Sequence, residues 1–168
     1  KCIGSVKSQK RISRQHIIID GLSNDDTVEY LNDFIKENNN DSSYSIEFNS
    51  SQDEGMYDAI NKGWSKANGE ILSWLNCDEQ YLPNTLSYIK DIFMKNPSID
   101  VVYGNAIIVD KNGDLISARK ELPMNKFLIS NTFLNIFSCT IFYRRSLWDS
   151  GLLYLNNDYN YASDMDLI

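Results

Sequence analysis

Histidine, cysteine and closely spaced metal ligands are scarce in this chain of 168 residues. Their scarcity limits the kinds of metal site and catalytic site that the chain can form. His16 is the only histidine, and Cys2, Cys77 and Cys139 form no CxxC pair. A structural zinc site needs four such ligands at short spacing, so the sequence argues against one. The single histidine also disfavours a Ser–His or Cys–His nucleophile, which leaves carboxylates as candidates. Widely spaced cysteines are typical of reduced thiols in a cytoplasmic protein.

Long apolar runs and an excess of positive charge are absent as well. No stretch approaches the ~20 apolar residues that a membrane-spanning helix needs, and no signal peptide is visible. Acidic residues number 23 against 16 basic ones, and the net charge of −7 argues against non-specific binding to nucleic acid. The hydrophobic fraction of 42% is enough for a sizeable core. We predict one globular domain over residues 1–168.

Apolar segments alternate between strand and helix patterns through the first hundred residues. Residues 16–20, 44–48 and 71–75 have the pattern of strands, and helical spacing separates them. Later, Asn112-Gly113 is a strong signal for a tight β-hairpin turn. This order predicts an α/β fold with a mostly parallel sheet flanked by helices, followed by a more irregular half.

Acidic residues follow the predicted strands. Asp20 ends the first strand, Asp53 lies between the second strand and the next helix, and Asp78 follows the apolar third strand. Ligands of open α/β sheets bind at the carboxyl ends of strands, and magnesium takes carboxylate and phosphate oxygens. The acids are therefore candidates for a nucleotide-diphosphate site. Each also suits an ordinary polar loop or helix cap, and spacing alone leaves both readings open.

Two features near the C-terminus also have two readings. Asp164 could act as a general base for an incoming hydroxyl, or it could belong to the first turn of a helix. Arg144 and Arg145 could hold phosphate through their guanidinium groups, or they could mark a solvated strand end.

Taken in order, four segments resemble the family 2 glycosyltransferases, which have the Rossmann-like GT-A fold. Residues 17–25 carry an Asp-Gly-x-Ser-x-Asp turn after an apolar strand. Residues 52–63 are close to the Asp-x-Gly-x-Tyr-Asp-Ala-x-Asn-Lys-Gly pattern of one bacterial branch. Residues 67–83 resemble that branch's strand and acidic cluster, and residues 142–147 with Ser163-Asp164 resemble its acceptor-side segment.

The resemblance implies an inverting enzyme that moves a sugar from a nucleotide-diphosphate sugar to an acceptor hydroxyl, in polysaccharide or surface-glycan synthesis. The nucleotide-binding residues that it implies are Asp20, Ser23, Asp53 and Asn61. It also implies that Asp78 holds a divalent cation, Mg²⁺ or Mn²⁺.

Asp164 is the catalytic base that the resemblance implies, and Asp166 is its rival because Ser163 stands where many relatives have Glu. Residues 1–100 would form the nucleotide-sugar half and residues 101–168 the acceptor-side half. The family's first strand should precede Lys1 and a continuation should follow residue 168. We therefore expect the chain to be incomplete at both ends and inactive by itself.

The partners implied are the sugar donor and a glycan or lipid-linked acceptor, without nucleic acid. A lipid-linked acceptor would bring a cytoplasmic enzyme to the inner face of the membrane as a peripheral protein. One alternative is a non-catalytic domain of the same fold that binds a nucleotide sugar or glycan. Another is a sugar-nucleotide nucleotidyltransferase, against which the absence of a Gly-rich basic phosphate loop counts.

Overall fold

The computed structural model describes residues 1–38, 41–123 and 136–159. The helices in these ranges are α1 (Cys2–Lys7), α2 (Thr27–Asn38), α3 (Met56–Lys66), α4 (Thr85–Lys95) and α5 (Arg145–Asp149). The strands are β1 (Arg14–Asp20), β2 (Tyr44–Ser50), β3 (Ile71–Leu72), β4 (Val101–Tyr103), β5 (Ala106–Val109), β6 (Leu115–Arg119) and β7 (Ile141–Arg144). The predicted α/β class is confirmed. In the same ranges, no helix combines the length and apolarity needed to cross a bilayer.

The front of the molecule is a parallel strand pair. β1 and β2 run side by side, with Arg14 opposite Tyr44 and Asp20 opposite Ser50. Helix α2 connects them, as a parallel pair requires a crossover. Both strands therefore end at the same edge, which brings the loops after Asp20 and after Ser50 together.

The remaining strands form two further sheets, and both are antiparallel, unlike the mostly parallel arrangement expected from the sequence. β7 lies between β3 and β4 and is antiparallel to both, while β5 and β6 form the hairpin predicted at Asn112-Gly113. Along β7, Ile141 and Tyr143 belong to one buried cluster and Phe142 to another. A strand that is apolar on both faces is most stable inside a sheet, which explains its insertion between two strands that precede it in the chain.

Helix α3 joins the parallel pair to the antiparallel sheet. A Cβ atom added at Gly63 would lie 3.7 Å from Cγ1 of Ile19, so this face of α3 packs closely on β1. The neighbouring Trp64 is 4% exposed and contacts Trp74 edge-on, with ring centroids 5.3 Å apart. Trp64 also meets the ring of Tyr143 on β7, at 5.9 Å. One helix thus packs against both sheets.

Gln9 fixes the amino-terminal helix to the start of α4. Its side chain is almost wholly buried, and its Nε2 donates to the Leu82 carbonyl at 2.9 Å while its Oε1 accepts from Leu86 N at 3.1 Å. One turn earlier, Ser5 Oγ accepts from Tyr81 N at 3.1 Å. The N–H group of Leu86 lies in the first turn of α4, where intrahelical partners are missing, so Gln9 satisfies it. These bonds also hold the segment that follows Asp78.

The environment of His16 predicts that acid will weaken the fold. Burial lowers the pKa of His16 to about 4, and its Nδ1 lies 3.0 Å from the hydroxyl of Tyr44. In the unfolded chain the pKa is near 6.5, so the unfolded state takes up a proton first as pH falls. We expect the free energy of unfolding to drop by about 2 kcal/mol between pH 7 and pH 5.

Urea denaturation at the two pH values measures this change, with His16→Gln as the comparison because glutamine does not titrate. The variant should lose most of the difference between the two pH values. An unchanged pH dependence in His16→Gln would show that other groups are responsible.

Candidate nucleotide site at the carboxyl end of the parallel pair

Asp20 closes the turn that follows β1. It is 8% exposed; its Oδ2 accepts from Ser50 Oγ at 2.6 Å and from Ser23 N at 3.1 Å, and its Oδ1 accepts from Ser23 Oγ. Burial opposes ionisation and is the largest single influence, but the hydrogen bonds from Ser23, Ser50 and Leu22 together lower the pKa of Asp20 below its ordinary value. The predicted residues Asp20 and Ser23 therefore meet, as a charged, hydrogen-bonded turn.

Leu22 gives this turn an unusual backbone. Its φ is 66°, in the left-handed region that costs a branched residue about 1–2 kcal/mol, and its side chain is exposed. Such conformations persist where the surroundings hold them, and they concentrate at binding and catalytic sites. Here Ser23, the residue after Leu22, is held by its two hydrogen bonds to Asp20, which keeps the backbone of Leu22 in this conformation.

Asp53 faces the same turn from the end of β2. A Cβ atom added at Gly21 would lie 2.7 Å from Oδ2 of Asp53, so the carboxylate sits directly against the glycine. Oδ1 of Asp53 accepts from Gly55 N at 3.0 Å, whereas Oδ2 accepts no hydrogen bond from any residue that the structure describes. This oxygen is available to accept a hydrogen bond from a ligand hydroxyl or N–H group.

The first turn of α3 fixes the loop that carries Asp53. Asp58 accepts from Glu54 N at 3.0 Å and forms an ion pair with Lys62 at 2.6 Å. Lys62 in turn donates to the carbonyl of Gln52 at 3.0 Å. Backbone groups on both sides of Asp53 are thereby tied to α3, which holds its carboxylate in position.

Asn61 lies apart from the carboxylates. It is 6% exposed; its Nδ2 donates to the Leu155 carbonyl at 2.7 Å, and its Oδ1 accepts from Leu155 N at 3.1 Å. In this structure its amide fastens the segment around Leu155 to α3. A direct contact with nucleotide stays a prediction.

Asp78 occupies an exposed turn whose shape depends on Glu79. Glu79 Oε2 accepts from Asn76 N at 2.8 Å, and Glu79 N donates to the carbonyl of Asn76 at 3.1 Å. Burial, together with the charge and hydrogen bonding of Glu79, raises the pKa of the Cys139 thiol to about 12. Glu79 is therefore engaged with its neighbours, and Asp78 is the carboxylate that the turn presents to solvent.

Contacts of Gln15 locate the segment that leads into β3. Gln15 is close to the amino end of β1; its Nε2 donates to the Lys66 carbonyl and its Oε1 accepts from Asn68 N at 2.7 Å. The chain thus starts toward β3 beside the amino end of β1. Asp78 comes ten residues after Asn68, in the turn that follows β3.

One end of helix α1 lies at the start of β1, and its other end is near the Asp78 turn. Arg14, at the start of β1, donates from Nε to the Val6 carbonyl at 3.1 Å, so the end of α1 lies there. At the opposite end of α1, burial raises the pKa of the Cys2 thiol, and the nearby Cys77, Glu79 and Asp78 add to the rise. The Asp78 turn is therefore near the end of α1 that is remote from the start of β1.

A resident metal cage is absent from the described part of the chain: no three histidine, cysteine, aspartate or glutamate side chains in it converge to hold an ion. Magnesium is often bound by only one or two protein carboxylates, with water and substrate phosphates as its other ligands. An exposed carboxylate such as Asp78 fits that second mode and does not fit a site built from protein ligands alone.

The remaining candidates from the sequence are Asp164, Asp166, Arg144 and Arg145. Asp164 and Asp166 are outside the described residues. Arg144 donates from Nε to the carbonyl of Ile99 at 2.9 Å, and Arg145 donates to the carbonyl of Ala67. Both guanidinium groups donate to backbone carbonyls of the fold, so they are not simply solvated, and phosphate binding by this pair is untested.

Sequence reasoning did not single out Ser50 or the conformation of Leu22. Ser50 lies opposite Asp20 in the strand register, so the parallel pairing of β1 with β2 could have suggested the contact. No sequence signal marks the left-handed Leu22.

Comparisons with known proteins agree with this architecture. The chain is 28% identical over 166 residues to a PGL/p-HBAD biosynthesis glycosyltransferase of Mycobacterium bovis, covering 98% of this chain and 60% of that protein. It is 31% identical over 113 residues to a poly-beta-1,6-N-acetyl-D-glucosamine synthase of Staphylococcus epidermidis, covering 67% of this chain and 26% of that protein. The chain thus spans about 60% of the length of the mycobacterial relative.

Solved structures show the fold. The crystal structure of S. aureus TarS 1–349 in complex with UDP matches with a TM-score of 0.68 at 15% identity, covering 99% of this chain and 48% of that chain. The GT-A expectation is thereby confirmed. The family model of Glycosyl transferase family 2 matches residues 1–151, and the chain therefore belongs to that family.

Proposed function

We propose that this chain is part of an inverting glycosyltransferase that moves a sugar from a nucleotide-diphosphate sugar to an acceptor hydroxyl, and that it contains the donor site. The observation that carries the proposal is the carboxylate of Asp53, held against Gly21 with one oxygen open to a ligand. Membership of the family supports the reaction class, and the UDP complex of the structurally similar TarS supports a nucleotide-sugar donor.

Asp53 would accept a hydrogen bond from a ribose hydroxyl or a base N–H group. Asp20 and Ser23 would shape the turn against which the nucleoside rests, since most acceptor positions of Asp20 are already taken. Neutral donor groups suit this place better than phosphate, because two carboxylates would repel a diphosphate. Asn61 would act indirectly, because its amide hydrogen-bonds to the backbone of Leu155 and positions that segment.

Asp78 would hold the divalent cation, Mg²⁺ or Mn²⁺, together with the diphosphate of the donor. When bound, the ion supplies positive charge that stabilises the departing diphosphate. The bonds between Glu79 and Asn76 keep the turn closed, so that Asp78 projects from it.

The acceptor reaction needs a base, and Asp164 is the residue that we propose, with Asp166 as its rival. The base takes the proton of the acceptor hydroxyl. The acceptor oxygen then bonds to the anomeric carbon from the side opposite the diphosphate. The bond between that carbon and the diphosphate oxygen breaks, and the nucleoside diphosphate leaves. A single displacement of this kind inverts the configuration.

We propose a glycan as the acceptor, in polysaccharide or surface-glycan assembly, with residues 1–100 serving the donor and residues 101–168 the acceptor. The exposed cations Lys10, Arg11 and Lys90 are grouped near the amino end of β1. That end is about 20 Å from Asp20 along the strand. An anionic bilayer attracted to these cations would be far from the donor site. These cations therefore do not support a membrane-bound acceptor.

Donor turnover tests the proposal in the full-length enzyme. Nucleoside diphosphate release, measured for a panel of sugar donors with and without glycan acceptors, should be acceptor-dependent for at least one donor. Asp164→Asn should lower turnover by roughly 10²–10⁴-fold, because it removes a general base, while donor affinity stays nearly unchanged. Nucleotide binding without any transfer would favour the non-catalytic domain, and full turnover in Asp164→Asn would move the base elsewhere.

Gly21→Ala tests the nucleoside site. The new Cβ would lie 2.7 Å from Asp53 Oδ2, so the carboxylate must move while the backbone keeps its place. We expect nucleotide affinity, measured by titration calorimetry, to fall by roughly tenfold or more, which corresponds to about 1.4 kcal/mol. The melting temperature should hardly change.

Gly104→Ala is the matched control, because a Cβ there meets no atom within 4 Å. If both variants bind nucleotide like the natural protein, Asp53 is not a nucleoside ligand.

Asp78→Ala tests the cation site. In the natural enzyme, Mn²⁺ or Mg²⁺ added to the nucleoside diphosphate complex should raise the free energy of unfolding beyond the effect of nucleotide alone. The expected gain is about 2.7 kcal/mol when the cation is at 100 times its dissociation constant from that complex. The variant should lose the metal-dependent part and keep the rest. Asp91→Ala, another exposed acid, serves as the control. A metal-dependent gain that persists in Asp78→Ala would contradict the assignment.

A further inference from the structure

Leu22 combines an exposed apolar side chain with a backbone conformation that leucine rarely adopts. Its φ is 66°, and the residue is 57% exposed. In the part of the chain that the structure describes, three residues other than glycine have a positive φ: Arg11, Leu22 and Asn84. Leu22 is the only apolar one among them. Asparagine tolerates this region because its short polar side chain can hydrogen-bond locally, whereas leucine lacks such compensation.

Packing within the described fold does not explain why a leucine stands at this position. More than half of the residue is open to solvent, and the hydrogen bonds that hold the turn come from Ser23. The preceding residue, Gly21, is a glycine whose φ is not positive. The strained position itself therefore holds a leucine, although glycine or asparagine would form the same turn with less strain.

The neighbours of Leu22 place it inside the candidate nucleotide site. On one side, Gly21 lies against the carboxylate of Asp53. On the other side, Ser23 is hydrogen-bonded to the carboxylate of Asp20. Leu22 thus stands between the two carboxylate contacts of the site. Strained backbone that its surroundings hold in place is concentrated at binding and catalytic sites.

A nucleoside needs the chemistry that this turn combines. The ribose and the edge of a base carry polar groups, for which Asp53 offers a free oxygen among the described residues. The two faces of a base bind apolar or aromatic side chains, and small-molecule sites are mostly apolar with a few polar groups. Leu22 supplies apolar surface, and Met56, which is 50% exposed and three residues after Asp53, adds more at the end of the second loop.

We propose that Leu22 is a donor-binding residue whose side chain packs on the face of the nucleobase, while Asp53 accepts a hydrogen bond from the same nucleoside. This inference rests on the function proposed above and deepens it. The left-handed backbone presents an apolar side chain between Asp53 and Asp20, which glycine or asparagine would not do. Leu22 thereby lowers the stability of the free protein and raises its affinity for nucleotide.

Leu22→Asn tests the proposal in the full-length enzyme. Titration calorimetry with the diphosphates of uridine, guanosine, thymidine, cytidine and adenosine, each with Mg²⁺, identifies the nucleotide that the natural enzyme binds most tightly. For that nucleotide, the dissociation constant of Leu22→Asn should rise roughly tenfold, because the apolar contact is lost. Without nucleotide, its melting temperature should be at least that of the natural enzyme, since asparagine tolerates the left-handed backbone.

Two further variants serve as controls. Leu22→Met should keep its affinity within about threefold of the natural value, because methionine retains an apolar contact of similar volume. Arg11→Asn is the matched control: Arg11 also has a left-handed backbone, with a φ of 61°, but it precedes β1, at the end of that strand opposite to Asp20. It should relieve strain in the same way and leave nucleotide affinity unchanged at physiological salt, where a distant charge is screened.

The outcomes separate Leu22 from the donor site as a whole. Unchanged affinity in Leu22→Asn, an equal loss in Leu22→Asn and Leu22→Met, or a lower melting temperature in Leu22→Asn would overturn the proposal. If Gly21→Ala weakens binding while Leu22→Asn does not, the donor site stands without Leu22. If the natural enzyme binds none of the five nucleotides, the donor site and the role of Leu22 are both wrong.

Discussion

The packing of Trp64 and Gly63 on α3 is the constraint on which the rest of the structure depends. Gly63 lets the helix approach Ile19 of β1, and the next residue inserts an indole ring among Trp74, Tyr143 and Trp148. Replacing a buried tryptophan by alanine typically costs about 3–5 kcal/mol. Two adjacent residues with opposite sizes thus join the parallel pair to the antiparallel sheet.

The geometry of the candidate site depends on the position of α3 between the parallel pair and the antiparallel sheet. The loop with Asp53 leads into α3 and is tied to it through Asp58 and Lys62. Asn61 ties the segment around Leu155 to the same helix. The side chains that face a ligand are therefore positioned by a helix whose opposite face is anchored in the aromatic core.

The sequence was most informative where neighbours in the chain decide the structure. Apolar runs ending in Asp20 and Asp78, the hairpin at Asn112-Gly113 and the loop before α3 all follow from local patterns. The antiparallel insertion of β7 was not predictable in this way. It depends on contacts with strands about 40 and 70 residues earlier, and local residue patterns do not specify a strand's partners.

Within the site, the residue types were predictable and their partners were not. Asp20 has the position expected, but its hydrogen bond with Ser50 exists only because β1 and β2 pair in register. Asn61 is a polar residue of a helix, and only the folded structure reveals that its amide hydrogen-bonds to the backbone of Leu155. Glu79 resembles a second ligand in sequence, whereas its carboxylate closes the turn that presents Asp78.

Hydrogen exchange in the full-length enzyme, with and without nucleoside diphosphate, tests the central claim most directly, since bound ligand should protect the backbone around its site. We expect slower exchange in residues 20–23 and 50–55, the two loops at the carboxyl end of the parallel pair. Protection confined to residues 7–14 and 84–91, at the basic surface near the start of β1, would contradict it.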